Sequence, residues 1–160
     1  MKLDNSMKLN VFTNHAILTL CIGHVLGHKS LFWSIGTCVN VGSSASFLSV
    51  PFIDSTAYLR MANKNGWPMW LFHTGNIILH VLPCIFSIAL PPQNMHIWHG
   101  FVAILYHLLW TLTTQDGTIF LNKTYVSMQN YQWVKLWQVT IFTELLWTFA
   151  NCSLVKLLFL

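Results

Sequence analysis

WPMWLFHTGNIILHVLPCIFSIAL, residues 67–90, contains no Asp, Glu, Lys or Arg over 24 positions. At about 1.5 Å of rise per residue, a helix of this length covers the roughly 30 Å hydrocarbon core of a bilayer. Pro68 suits the first turn of a helix, where its missing N–H is no loss, and Trp67 and Trp70 suit the membrane–water boundary. A span over residues 68–90 is therefore predicted. The Pro91-Pro92-Gln93-Asn94 segment that follows is too short for anything but a turn. A second span over residues 96–114 must then run antiparallel beside the first.

Working outward, residues 9–28, 31–52 and 132–155 form three further apolar stretches of suitable length. The fold class this predicts is all-α: a polytopic membrane helix bundle of five transmembrane helices, forming one membrane-embedded domain over residues 1–160. The first stretch lacks a small-residue cleavage site and reads as an uncleaved span. The segment 31–52 is the most polar. It carries Asn40 and a repeat of small residues at Ser34, Cys38, Gly42 and Ser46, which would let a neighbouring helix approach closely. If it is re-entrant, four crossings remain. Residues 54–66 read as a polar connection.

Composition agrees. The chain is 54% apolar and 8% charged, against roughly 25% charged residues in soluble domains. Its net charge of +4 is scattered, with no basic cluster, so a nucleic-acid partner is not expected. Cys21, Cys38, Cys84 and Cys152 form no Cys-x-x-Cys pair and read as small packing residues. Six basic residues (Lys2, Lys8, Arg60, Lys64, Lys123, Lys135) fall on the amino-terminal side and two (Lys29, Lys156) on the other. The positive-inside bias places the amino terminus in the cytoplasm and the carboxyl terminus outside. On that topology the Asn122-Lys123-Thr124 sequon stays bare.

Polar residues inside apolar stretches carry the functional signal. His80 is twelve residues into its span, His107 eleven and Glu144 twelve, so all three fall near the bilayer midplane. Because each is costly facing lipid, they are expected to turn toward one another. His73, Asn76, His80 and Pro83 share one face of a regular helix, and His99, Ala103 and His107 share another. This makes His73, Asn76 and His99 candidates for substrate or relay contacts. Pro83 removes a donor and should free the Leu79 carbonyl. His24, His28 and His96 lie at span ends and read as boundary residues.

Several chemistries share parts of this pattern. His24-x-x-x-His28 and His96-x-x-His99 have helix-compatible ligand spacing, but no adjacent His-His pair exists and no metal site is assigned. No cofactor is expected, with a haem between His80 and His107 as a minority alternative. There is no Gly-x-Ser-x-Gly elbow. The segment His80-Val81-Leu82-Pro83, a short turn, a further span and then Gly117-x-x-Phe120 resemble part of the androgen-induced family of multi-span membrane lipid hydrolases. Phe47-Leu48-Ser49 and Phe52-Ile53-Asp54 resemble that family's Thr-bearing segment, with Ser49 in the nucleophile's place. In this chain the His lies closer to the Pro, and the two segments lie closer together. The resemblance implies Ser49 as nucleophile and His80 as base on a lipid ester.

The expected catalytic set is therefore His80, Ser49, His107 and Glu144, in a lipid ester hydrolase or acyl transferase. The alternatives are a non-catalytic multi-span partner or complex subunit, a haem-binding electron-transfer protein, and a proton-coupled carrier relaying through His80, His107 and Glu144. Membrane lipids are the expected partners, together with other membrane proteins or a second copy of the chain.

Overall fold

Helix α1, Phe12–Leu26, ends where Gly27 takes the left-handed conformation (φ 92°) and its N–H reaches back to the His24 carbonyl at 3.2 Å. The computed structural model describes residues 12–64, 66–113 and 130–152 of the chain. After the turn, the Ser30 hydroxyl accepts from the Trp33 N–H (3.1 Å) and opens α2, Leu31–Ile53. The two helices form a hairpin with backbones in near contact. A Cβ on Gly23 would meet the Trp33 backbone, and one on Gly36 the Leu20 backbone. The Asn40 amide bridges the pair, donating to the Ala16 carbonyl at 2.7 Å and to Gly36 at 2.8 Å.

Asp54 closes α2 with its N–H on the Val50 carbonyl and starts α3, Ala57–Lys64, by accepting from the Thr56 N–H and hydroxyl at 3.2 and 3.0 Å. The Arg60 guanidinium grips both carboxylate oxygens, and Gln132 reaches one of them at 3.4 Å. The Arg60 hydrogen bond, aided by Thr56, holds the Asp54 carboxyl below its ordinary range. A depressed carboxylate pKa stabilises the fold above the unfolded-state value and loses that contribution as pH falls through the folded one. Acidification below about pH 4 should therefore lower the unfolding midpoint of the wild type more than that of Asp54→Asn. For a half-buried, solvent-screened network the loss is about 1 kcal/mol. Thermal unfolding followed against pH tests this.

Helix α4, Met69–Ala89, starts after Pro68 and contains one π-helical turn at Ile77–Val81. There the N–H of Leu82, the residue before Pro83, bonds the Ile77 carbonyl. One residue after Leu79, whose carbonyl was expected to be freed, the Ser44 hydroxyl of α2 lies 2.7 Å from the His80 carbonyl and 2.6 Å from the Asn40 carbonyl of its own helix, sharing one proton between them. Helices α5, Ile97–Thr113, and α6, Asn130–Asn151, complete the bundle. A single bridge between Met95 and Cys152 ties the start of α5 to the end of α6.

Among the described residues the chain is thus all-helical, with helices in each of the five apolar stretches and one more, α3, inside the segment read as a plain polar connection. Among the described residues only α4 is long and apolar enough to cross a membrane; His15–Leu26 and Ile97–Leu109 are apolar but shorter. Five crossings therefore do not follow from the helices alone. The segment 31–52, expected to be the weakest helix, is the hub. From Trp33 to Gly42 nearly all of its residues are buried, with α1 on one side and α6 on the other. The radial distribution is unusual: Ser34, Thr37, Asn40, Ser44, Glu144 and Thr148 point inward, whereas Leu18, Val25, Ile78, Leu82, Phe101 and Phe142 are exposed.

Candidate functional site

The small-residue stripe of α2, expected to admit a neighbouring helix, meets α6 at Cys38 and Gly42, and what Gly42 meets is Glu144. Gly42 leaves room for the carboxylate side chain, which a Cβ would overlap. One turn away, the Cys38 thiol donates to the Glu144 carbonyl (3.4 Å) and lies 3.5 Å from the Thr148 hydroxyl, which also donates to that carbonyl at 2.7 Å. The opposing helix α5 comes equally close: a Cβ on Gly100 would overlap Thr148. Three helices converge here because α2 and α5 each place a glycine opposite a polar residue of α6.

In this seam His107 Nδ1 of α5 lies 3.1 Å from Glu144 Oε1. Glu144 is 0% exposed, and the His107 side chain 12%. The second carboxylate oxygen, Oε2, has no hydrogen-bond partner among the described residues. The Trp137 ring packs 5.1 Å from the imidazole and limits its rotation. A buried carboxyl group needs a polar partner, and His107 Nδ1 provides one for Oε1. The pair has the form of a carboxylate orienting a histidine, which leaves Nε2 as the ring nitrogen not engaged by Glu144.

His80, expected beside them, is elsewhere. Its carbonyl is bound to Ser44, and its ring stacks on Phe47 with centroids 4.0 Å apart and planes within 5°. Phe47 in turn stacks on Tyr58 at 4.9 Å. Ser44 and Gly42 are two residues apart, about 200° around a helix, so α2 stands between His80 and the Glu144–His107 pair. His80 is buried, and its Nδ1 has no hydrogen-bond partner among the described residues. The same separation places the two histidines considered for a haem on opposite faces of α2.

Ser49 is not held by a base in this arrangement. Its hydroxyl donates to the Ser46 carbonyl of its own helix at 2.7 Å. His73 is exposed and makes edge contacts with Phe72 and Tyr58, while Asn76 donates to the Phe72 carbonyl at 2.7 Å. His99, expected to share a working face with His107, caps its own helix: Nδ1 accepts from the His96 N–H at 3.1 Å, three residues back, while the His99 N–H donates to the His96 carbonyl at 3.0 Å. Cys38 and Thr148, missed as members of the seam, were detectable as small residues, Cys38 within the α2 repeat and Thr148 four residues after Glu144. The Asn122 sequon and Gly117-x-x-Phe120 lie outside the described residues.

Comparison of the chain with protein-family models, curated proteins and solved structures finds no match in any of the three. The resemblance to the androgen-induced family rests on its short motifs alone.

Proposed function

We propose that the chain is a multi-span membrane protein acting on a lipid ester, as a hydrolase or acyl transferase, with His107 as general base and Glu144 as the group that orients it. The carrying observation is the 3.1 Å His107–Glu144 contact inside a seam where the carboxylate has no solvent exposure. In this reading His107 Nε2 takes the proton of a water or lipid hydroxyl as its oxygen attacks the ester carbonyl. Glu144 supports the imidazolium through Nδ1–H, and His107 then returns the proton to the departing alkoxide. The membrane setting is supported by the radial distribution, apolar side chains outward and hydroxyls, amides and a carboxylate inward, together with the span-length α4. The five helices in apolar stretches would then be five crossings, with the amino terminus cytoplasmic. No cofactor is needed for this chemistry.

The test is turnover of a short-chain lipid ester by the purified protein in mixed micelles. Removing a positioned general base costs roughly 10²–10⁴ in rate, so His107→Gln should lose at least a hundredfold while retaining the wild-type helical signal. Ser49→Ala should retain activity, since its hydroxyl serves its own helix. A folded His107→Gln variant with unchanged turnover would remove the proposal. Loss of activity in Ser49→Ala with His107→Gln active would instead restore the assignment drawn from the family resemblance. A second reading, a non-catalytic membrane subunit, is favoured by the outer side of α4, where Ile77, Ile78, Leu79, Leu82 and Ile85 are exposed in sequence. It predicts that a partner membrane protein co-purifies with wild type and with the His107→Gln variant alike.

A further inference from the structure

At the end of α1 the chain brings two imidazoles together without using either in the seam. His24 Nδ1 and His28 Nε2 are 3.1 Å apart, His24 exposed and His28 half-buried. The positions of both rings are set by neighbours. Gly27, at φ 92°, reverses the chain and returns His28 over the last turn of the helix. The His28 carbonyl accepts from the Gln93 N–H at 3.2 Å, and its ring stacks on Trp33 with centroids 4.5 Å apart. The His24 ring leans on Trp33 and Phe86, 5.6 and 5.5 Å away. Trp33 is itself anchored, fully buried and donating through Nε1 to the Leu90 carbonyl at 3.1 Å.

From this geometry we infer that His24 and His28 form a two-histidine chelate for a divalent transition-metal ion of the copper–zinc class. Imidazole nitrogens bind such ions at about 2.0–2.1 Å. Two nitrogens 3.1 Å apart then subtend about 100° at a shared ion, between the right angle of a square-planar site and the tetrahedral angle. To take up the ion, the ring that donates in this contact passes its proton to its other nitrogen, and both rings turn their lone pairs from each other toward the metal. Among the described residues no group of three or more His, Cys, Asp or Glu side chains could hold a metal ion, so water or an outside donor completes the coordination. Imidazole-only donation favours Cu²⁺ over the other divalent ions of the first row. The inference does not rest on the proposed hydrolase chemistry, because the pair is separate from Glu144 and His107.

The probe is Cu²⁺ itself, added to the full chain in detergent with an affinity tag free of histidine. The expected result at pH 7.5 is one tight equivalent per chain, with an electron paramagnetic resonance spectrum showing two coupled imidazole nitrogens. Affinity should drop at least tenfold in His24→Ala and in His28→Ala, and change less than twofold in His96→Ala. Lowering the pH to 5 should release the ion, since protons compete for the same nitrogens. If the alanine variants fold poorly, wild type and Trp33→Phe provide a second measurement. Bound Cu²⁺ should quench part of the tryptophan emission in wild type, and Trp33→Phe should lose that quenching while still binding the ion. A spectrum with fewer than two imidazole nitrogens, unchanged affinity in the His24→Ala/His28→Ala double variant, or no saturable binding by wild type would each overturn the proposal.

Discussion

His107→Ala should lower stability by about 3–5 kcal/mol, because it leaves the Glu144 carboxylate buried without its counterpart. The side chain has no exposed surface, and its second oxygen already has no hydrogen-bond partner among the described residues. The sharper expectation concerns the double variant. Adding Glu144→Gln to His107→Ala removes the stranded charge while keeping side-chain volume, so the double variant should be more stable than His107→Ala alone. A double-mutant cycle on detergent-solubilised protein, read by thermal unfolding, should give a coupling of about 0.5–3 kcal/mol. Additive losses would mean that the two groups do not interact. A loss under about 1 kcal/mol for His107→Ala would place the carboxylate in contact with water.

Gly42→Val is expected to be nearly as damaging, by a different route. Its first added carbon overlaps Glu144, which is hemmed in by α2, α5 and α6. Overpacking of a closed seam costs about 1–3 kcal/mol, and the displaced carboxylate also loses its 3.1 Å contact with His107. Gly75→Val should be far milder, since a Cβ there has open space. The comparison separates a packing clash from the general effect of a β-branched residue in a helix, about 1 kcal/mol or less. Unfolding midpoints of the two variants, measured together, decide the matter. If lipid-ester turnover is present, Gly42→Val should lose it in parallel with His107→Gln.

Much of this arrangement could be read before any coordinates. Apolar stretches, Pro68 and the short Pro91–Asn94 turn located helices to within a few residues. Residue counting placed His107 and Glu144 at matching depth, and the Ser34–Cys38–Gly42–Ser46 repeat identified the face of α2 that α6 approaches. Azimuth was the missing quantity. The same count groups His80 with the other two, but it faces the Ser44–Phe47 side of α2. Counting along a chain cannot distinguish the two sides of a helix buried all round. The His99 and Ser49 side chains are engaged by backbone groups of their own helices, a local tie that spacing alone does not reveal. Helix α3 was hidden by its polarity. Its start depends on Asp54 accepting from Thr56 and Arg60, a tie that becomes visible only when the turn is formed.

The wide turn at Ile77–Val81 bears on how α4 tolerates changes in length. Such a turn accommodates one residue more than a regular helix would, so the segments on either side are out of phase by about 100°. That offset explains why His73 is exposed while His80, seven positions later, is buried. It lets the rod hold one extra residue between fixed points, here the buried Phe72 on one side and the Trp33–Leu90 bond on the other. Excising one residue from the turn would re-phase the rod rather than shorten it, carrying either the Phe72 side or the Ser87 side out of the core.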